Sequence, residues 1–197
     1  MTAITRNTIP DKKDESYKYT NLSALLRGFM DPVDHPTFPR VVNHTACETT
    51  TNQNTTTYTI KSGENIMLMD DITAGDTPPH WISRDINIKI QENAQCLYVR
   101  MLSSRCVLTD HIHVDVGANA KVNIIHLNAG NDLSRTTMIV DMAAHSTTEI
   151  SAIQILSGSA HGDITTRINH HGVSGKSSQT IRNIAGGSAH AVYQGKV

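Results

Sequence analysis

The feature that most constrains the fold of this chain is a repeat of constant length between residues 86 and 174. In each copy three positions spaced two apart are apolar, with one exception, and the residues between them are mostly polar. This alternation is typical of a β-strand with one buried face. The copies start at positions 86, 112, 138 and 164, so each follows the one before it by the same step of twenty-six. The aligned triplets are Ile86, Ile88 and Ile90; Ile112, Val114 and Val116; Met138, Val140 and Met142; and Ile164, Thr166 and Ile168.

A repeat of this length made of short strands leaves no room for a helix, and each strand needs a hydrogen-bonding neighbour about 4.8 Å away. Coils stacked on one another supply that neighbour. The repeat therefore predicts an all-β fold, a parallel β-helix (β-solenoid) over residues 81–197. Files of aliphatic side chains would form its core, which suits a chain with two Phe and one Trp. We predict one file made of Ile88, Val114, Val140 and Thr166.

Residues 1–40 are predicted to be an N-terminal helical segment followed by a proline-containing connector. Thr20 or Asn21 would cap the helix, and Asp31-Pro32 would end it, because proline disfavours helical geometry in the residue before it. We expect this helix to cover one end of the solenoid, since both ends of a stacked fold need caps. The last strand-like residues, 189–197, would leave the other end uncovered. The helical stripe consists of Leu22, Leu25, Leu26 and Phe29.

Residues 41–80 are predicted to be an irregular or linker region that contains the first strands. The Thr-rich stretch 49–57 has too little apolar content to be packed, so we expect it to be mobile or exposed. Two short apolar alternations follow it and predict a first pair of strands joined by a turn at 62–65. They are Tyr58 with Ile60 and Ile66 with Leu68.

Composition excludes several functional classes. Seventeen basic residues balance eighteen acidic ones without a long run of either sign, so no electrostatic footprint for nucleic acid is visible. The apolar runs are far shorter than the roughly 20 residues that cross a bilayer, and the first residues have no hydrophobic signal core. Three cysteines without a C-x-x-C pair argue against a disulfide framework or a zinc knuckle. These features predict a cytoplasmic protein with no nucleic-acid or membrane partner.

Two histidines and two aspartates on predicted strands form the best candidate metal site. His111 and His113 are two residues apart, so both imidazoles would point to the same outward face, about 6 to 7 Å apart. Asp115 continues this row, and Asp141 lies one coil beyond Asp115. Imidazole and carboxylate ligands suit Fe(II) or Zn(II). The alternative interpretation is a solvent-exposed ladder of His–Asp hydrogen bonds. The adjacent pair His170 and His171 is predicted to lie in a turn at the surface.

Three stretches resemble the SufB/SufD family of iron–sulfur cluster assembly proteins, and its SufD branch more closely. The first is the motif Tyr-Lys-Tyr-Thr-Asn-Leu at 17–22. The second combines Ser-Ser-Gln-Thr-Ile-Arg-Asn at 177–183 with Ala-Val-Tyr-Gln-Gly-Lys-Val at 191–197, and the third is the coil pattern itself. The resemblance covers about residues 15–30 and 81–197. It implies a right-handed parallel β-helix and a non-enzymatic scaffold subunit that pairs with a SufB- or SufD-like subunit.

The same resemblance implies a SufC-like ATPase partner and a nascent iron–sulfur cluster at the subunit interface. This sequence ends where the family continues into the SufC-docking helices and the cysteine or histidine of the cluster site. We therefore expect no cofactor bound by this chain alone and a cluster only in the complete complex. A fragment, a short paralogue, and a subunit that needs a partner or a second copy to cover its open end remain alternatives.

The three cysteines are interpreted separately. Cys96 has inward parity and is predicted to be a core residue. Cys106 lies beside Arg105, whose charge would lower the pKa of a nearby thiol, and a sulfur-accepting thiolate would suit the family that the chain resembles. Cys106 is therefore the candidate sulfur-accepting residue. Cys47 lies in a polar segment and is predicted to be exposed.

Two other functional classes remain open. One is a β-helix enzyme that acts on polysaccharide, which would need clustered acids and bases on one outward face. The only such row is His111, His113, Asp115, Asp141 and Arg167. The other is a purely structural module whose exposed coils stack end to end. The sequence contains no P-loop, G-x-G-x-x-G motif or Ser/His/Asp order, so we expect no nucleotide binding or hydrolysis by the chain itself. With the scaffold role that the family resemblance implies, the chain is predicted not to be an enzyme.

Overall fold

The computed structural model describes residues 4, 8–9, 19–27, 32, 38–41, 47–72, 81–103, 106–130 and 132–197. Within these residues the chain forms one short helix, α1 (Leu22–Leu25), and thirteen β-strands. The strands are β1 (Arg40–Val41), β2 (Cys47–Asn52), β3 (Thr55–Ile60), β4 (Asn65–Ile72), β5 (Trp81–Ile90), β6 (Gln95–Leu102), β7 (Val107–Val116), β8 (Lys121–Ala129), β9 (Leu133–Met142), β10 (Thr147–Leu156), β11 (His161–His170), β12 (Lys176–Ala185) and β13 (His190–Lys196).

The strands form two sheets. Sheet A has the order β1-β4-β6-β8-β10-β12, and sheet B has the order β2-β3-β5-β7-β9-β11-β13. From β3 onwards the chain alternates between the sheets, and neighbouring strands are parallel. Successive strand pairs from β3–β4 to β11–β12 thus make five stacked coils, and β13 begins the next. The predicted all-β parallel β-solenoid is confirmed.

The predicted constant period is wrong at its last step. Val114 pairs with both Ile88 and Val140, as expected for the regular step, which also separates Arg84 from Asp110 by 26 residues. Val140 then pairs with Ile168, whereas Thr166 lies opposite Met138, so the next step is 28 residues, as between Arg135 and Asp163. The two extra residues lie in the turn 157–160. A shift of two residues keeps every side chain on its own face, so the core tolerates it.

The same corner of each coil holds a residue in the left-handed backbone conformation. Where the chain passes from sheet B to sheet A, positive φ angles of 56° to 74° occur once per coil. Glycine adopts this conformation freely and asparagine tolerates it, whereas other residues are strained there. The corner residues are Gly63, Asn93, Asn119, His145 and Ser174. His145 thus lies in a turn, in the left-handed conformation.

The main core lies between the two sheets. Apolar side chains of β3 to β10 alternate inward, and their files continue from coil to coil, as the sequence predicts. Cys96 is part of this core. Tyr58 and Tyr98 supply most of its aromatic bulk and are fully buried. Aliphatic ladders thus provide the hydrophobic free energy, at roughly 1.5–3 kcal/mol for each fully buried side chain.

Four charged residues, which the sequence patterns above do not predict, are also fully buried between the sheets. Asp70 and Arg100 come from sheet A, while Arg84 and Asp110 come from sheet B. Each arginine contacts both aspartates, which closes a ring of two positive and two negative charges. We call these residues the buried quartet. Because its charges balance, none is left uncompensated in the low-dielectric core.

The helix does not cover the end of the solenoid. Leu22 and Leu26 instead pack on the side of the solenoid where the strands of sheet B begin. They contact the first residues of β5, β7 and β9, namely Trp81, Val107 and Leu133. Asn21 caps α1 by accepting a hydrogen bond from the Ala24 amide at 3.2 Å. Phe29 and Asp31 lie outside the described residues. The prediction that this helix caps the solenoid was wrong, because its leucines pack against side chains from three successive coils.

The N-terminal end of the solenoid is instead extended by two antiparallel strands. β1 pairs with β4 in sheet A, and β2 pairs with β3 in sheet B. The Thr-rich stretch 49–57 thus takes part in a β-hairpin, and its residues 49–53 are exposed. β3 and β4 were predicted as a pair, but they lie in opposite sheets. At the other end, the described side chains of β12 and β13 are exposed or half-buried, as predicted.

Candidate functional site

The outer face of sheet B carries the polar row found in the sequence. Ile112, Val114 and Val116 of β7 point into the core, so the residues between them point outward. Asp115 pairs with Asp141 of β9 in the parallel register. His113, Asp115 and Asp141 therefore share one outward surface on two neighbouring strands.

His113, Asp115 and Asp141 lie within ligand distance of one another. Nε2 of His113 is 2.6 Å from Oδ2 of Asp141 and 3.4 Å from Oδ1 of Asp115. One ligand atom of each residue lies within 4.8 Å of the other two. The side chains are partly exposed, so solvent or an ion can reach them. This surface can either form hydrogen bonds or bind a cation.

Asp141 is held from its other side by two residues near the end of β11. Its Oδ1 accepts a hydrogen bond from Nδ2 of Asn169 at 2.8 Å and lies 2.6 Å from Nε2 of His171. Burial raises the pKa of Asp141, but the hydrogen bonds of His171, His113 and Asn169 outweigh it and lower the pKa to about 2. His171 is a surface residue, as the sequence predicts, but its contact with Asp141 has no sequence signal because the step between β9 and β11 is longer than the regular one.

His111 does not join this cluster. Its side chain is 9% exposed, and burial lowers the pKa of its imidazole to about 4, so it is neutral at physiological pH. Its strand partner Thr137 is 8% exposed. Among the described residues, neither Nδ1 of His111 nor Oγ1 of Thr137 has a hydrogen-bond partner. Of the three predicted ligands, the structure brings together His113 and Asp115.

His111 and Thr137 line a cleft that runs up to the His113 cluster. Its volume is about 270 Å³, and its walls also include Asn87, His113 and Asp141. The cleft is therefore large enough for several water molecules or a small ligand. It places two buried polar side chains beside the exposed ligand atoms of the cluster.

The cysteines occupy different environments. Cys106 is 3% exposed and packs with Ile72, Leu102 and Leu108. Its sulfur-accepting role stays a prediction. Arg105, its predicted activating neighbour, lies outside the described residues. Burial raises the pKa of Cys96 to about 12. Cys47, on β2, is half-buried rather than fully exposed.

A second buried polar cluster connects the N-terminal segment to the solenoid. The hydroxyl of Thr20 donates a hydrogen bond to the Asp163 carboxylate and lies 3.1 Å from Nε2 of His161. Arg135 forms a buried ion pair with Asp163. Thr20 belongs to the first stretch of family resemblance, and its full burial gives that motif a structural role.

These features define a two-sheet parallel β-solenoid with a His/Asp cluster on one outer face. The family model described as "SUF system FeS cluster assembly, SufBD core domain" matches residues 42–197. The chain belongs to this family, which connects it with iron–sulfur cluster assembly by the SUF system. The match also includes residues 42–80, which the sequence resemblance did not cover.

Searches of curated proteins and of solved structures returned no match. In the part of the chain that the structure describes, no helix is both long and apolar enough to span a lipid bilayer.

Proposed function

We propose that this chain is a non-enzymatic, SufD-like scaffold subunit of iron–sulfur cluster assembly. The observation that carries the proposal is the SufBD core match, which includes the solenoid coils. The chain would act in the cytoplasm by association with a SufB- or SufD-like subunit, while ATP hydrolysis would belong to a separate SufC-like protein. The same match is the reason to prefer this function to a polysaccharide-active enzyme or a purely structural module.

The association is proposed to use the last coil. β12 and β13 are the last strands of sheets A and B, at the opposite end of the described solenoid from β1 and β2. Terminal strands present backbone donors and acceptors that pair readily with another chain. Their side chains are exposed or half-buried along both strands, including Tyr193 at 37% exposure. A partner strand would both extend the sheets and cover this coil.

The test is co-expression of the chain with a SufB-like subunit and a SufC-like ATPase, followed by purification through one subunit and measurement of solution mass. A stable complex that contains the chain is expected. A chain that stays monomeric and copurifies with neither protein would overturn the proposal. A complex formed only with further copies of itself would favour the structural module.

A pair of matched variants tests the proposed edge. Thr180 lies on β12, and its strand partner Ser151 lies one coil further inside on β10. A lysine on a terminal strand discourages pairing with another strand. Thr180→Lys should weaken association about tenfold, whereas Ser151→Lys, the control, should leave it unchanged. Equal effects of the two substitutions would contradict pairing through β12.

The proposal also predicts what the isolated chain does not do. Because the chain is proposed to hold a cluster only in the complete complex, anaerobic incubation with iron and sulfide should produce no visible iron–sulfur absorption from the chain alone. Appearance of that absorption at one cluster per chain would show that the chain binds a cluster without a partner, against this expectation.

A further inference from the structure

We propose that His113, Asp115 and Asp141 bind a divalent transition-metal ion on the outer face of sheet B, beside a cleft that admits the ion's remaining ligands. This site is distinct from the terminal strands proposed for association, and it does not rest on the proposed function. Its ligands come from two adjacent strands, β7 and β9, whose ten register pairs fix their relative position.

The geometry of the three ligand atoms is close to that of a metal centre. Bonds of about 2.0–2.2 Å to imidazole nitrogen and carboxylate oxygen place neighbouring ligand atoms roughly 3 Å apart. The separations of His113 Nε2 from the oxygens of Asp141 and Asp115 are 2.6 and 3.4 Å, on either side of this value. The carboxylate oxygens of Asp115 and Asp141 lie within 4.8 Å of each other, so rotation of these side chains would bring all three ligands around one ion.

Two further residues orient the carboxylate of Asp141. Asn169 and His171 both contact Oδ1, which leaves Oδ2 towards His113. Ligating carboxylates are commonly fixed in this way by outer hydrogen bonds, and loss of such a partner weakens metal affinity 10–100-fold. Asp141 therefore has three side-chain partners, which hold its carboxylate in one orientation.

The adjoining cleft supplies a second, independent observation. His111 and Thr137 are more than nine-tenths buried and line the same cleft as His113 and Asp141. Among the described residues, His111 Nδ1 and Thr137 Oγ1 lack hydrogen-bond partners. Leaving a buried polar atom unsatisfied costs about 1–3 kcal/mol. Water or a small ligand bound to the metal would satisfy these atoms, which gives the polar lining of the cleft a purpose.

The ligand set indicates the class of metal. Imidazole favours Fe(II) or Zn(II) over Mg²⁺ or Ca²⁺, which prefer all-oxygen sites. The absence of cysteine from the three-residue cluster argues against a thiolate-bound iron–sulfur cluster there. Three protein ligands also leave coordination positions open, as in sites where an ion exchanges water or binds a further molecule.

The test uses the tag-free full chain, Zn(II) by titration calorimetry and Co(II) by visible absorption. Wild type should bind one ion per chain with saturation. His113→Ala and Asp141→Asn should each lower affinity at least tenfold, and His171→Ala should lower it about tenfold through the orientation of Asp141. Glu149→Gln, at an exposed carboxylate on sheet A, is the matched control and should bind like wild type.

Circular dichroism and thermal unfolding without metal should be the same for wild type and every variant, because these side chains lie on the outer face. If a variant does fail to fold, the Co(II) spectrum of wild type alone decides: bands typical of mixed nitrogen and oxygen ligation support the site. No saturable binding by wild type, or unchanged affinity in folded His113→Ala and Asp141→Asn, would overturn the proposal.

Discussion

Arg84 and Asp110 lie on neighbouring strands inside the solenoid and form a bidentate ion pair with no exposure to solvent. Nε of Arg84 donates to Oδ1 of Asp110 at 2.9 Å, and Nη2 donates to Oδ2 at 2.7 Å. Arg84 also donates to both oxygens of Asp70 at 2.9 Å. Removal of one such partner leaves a buried charge partly uncompensated, which is more costly than loss of a surface pair.

Arg84→Ala is therefore expected to lower the free energy of unfolding by about 3–5 kcal/mol, because Asp70 and Asp110 would share the single charge of Arg100. Urea unfolding at neutral pH would measure the change. The control is Lys61→Ala, which removes an exposed pair with Glu48 at 3.3 Å and should cost under about 1 kcal/mol. A similar loss in both variants would contradict the structural importance of the buried quartet.

Acid should destabilise the chain through Asp70. Burial raises the pKa of this carboxyl, but Arg84 and Arg100 outweigh burial and lower the pKa from 3.8 to about 2. A lowered pKa in the folded state adds stability above the unfolded-state value, and this contribution is lost as the pH falls through the folded-state value. About 2 kcal/mol should therefore disappear between pH 4 and pH 2.

The measurement is unfolding free energy by urea at several pH values, together with an NMR titration of the Asp70 carboxyl carbon. A titration midpoint near the ordinary value for aspartate would be inconsistent with the two arginine contacts. So would a stability that does not change over this pH range.

Gly172 should be intolerant of a side chain. A Cβ atom at this position would clash with the backbone of Ala144 one coil away, at 2.5 Å from its Cα. Gly172→Ala is expected to cost about 1–3 kcal/mol, because the clash involves backbone rather than a flexible side chain. Gly186→Ala is the control, since its Cβ would meet nothing within 4 Å. Thermal unfolding of both variants tests this close approach; equal melting temperatures would refute it.

Alkylation should distinguish the cysteines in the folded protein. Cys47 is half-buried, whereas Cys96 and Cys106 are each 3% exposed. Since burial also raises the pKa of Cys96 to about 12, its thiolate is scarce at neutral pH. Iodoacetamide followed by mass spectrometry should modify Cys47 first, and the other two only after denaturation. Rapid native-state labelling of Cys106 would instead favour its predicted sulfur-accepting role.

Much of the fold could be predicted because its core files follow strict alternation and a repeated step. Ile88, Val114 and Val140 were placed correctly for this reason. Thr166 was misplaced because the length of a turn is not fixed by core packing and therefore leaves no periodic signal in the sequence. The buried quartet did have a signal: Arg84 and Asp110 share inward parity and are separated by the regular coil step.

The candidate site was predictable only in part. His113 and Asp115 follow from the H-x-H-x-D pattern, since alternate residues of a strand share a face. The contact of His171 with Asp141 could not be found, because it depends on the longer step between β9 and β11 and on the backbone at the end of β11. The burial of His111 was also missed, because parity reports the face of a residue but not what covers that face.

The turn at 157–160 has a further consequence. It takes up two residues more than the corresponding turn one coil earlier, yet the strands on both sides of it keep continuous ladders. The number of residues in such a turn can therefore change without altering the pairing of the strands. A short foreign peptide inserted in the turn at 157–160 should therefore be exposed to solvent while the strands keep their spacing. Turns of this kind are thus the positions at which sequences with this fold can vary most in length.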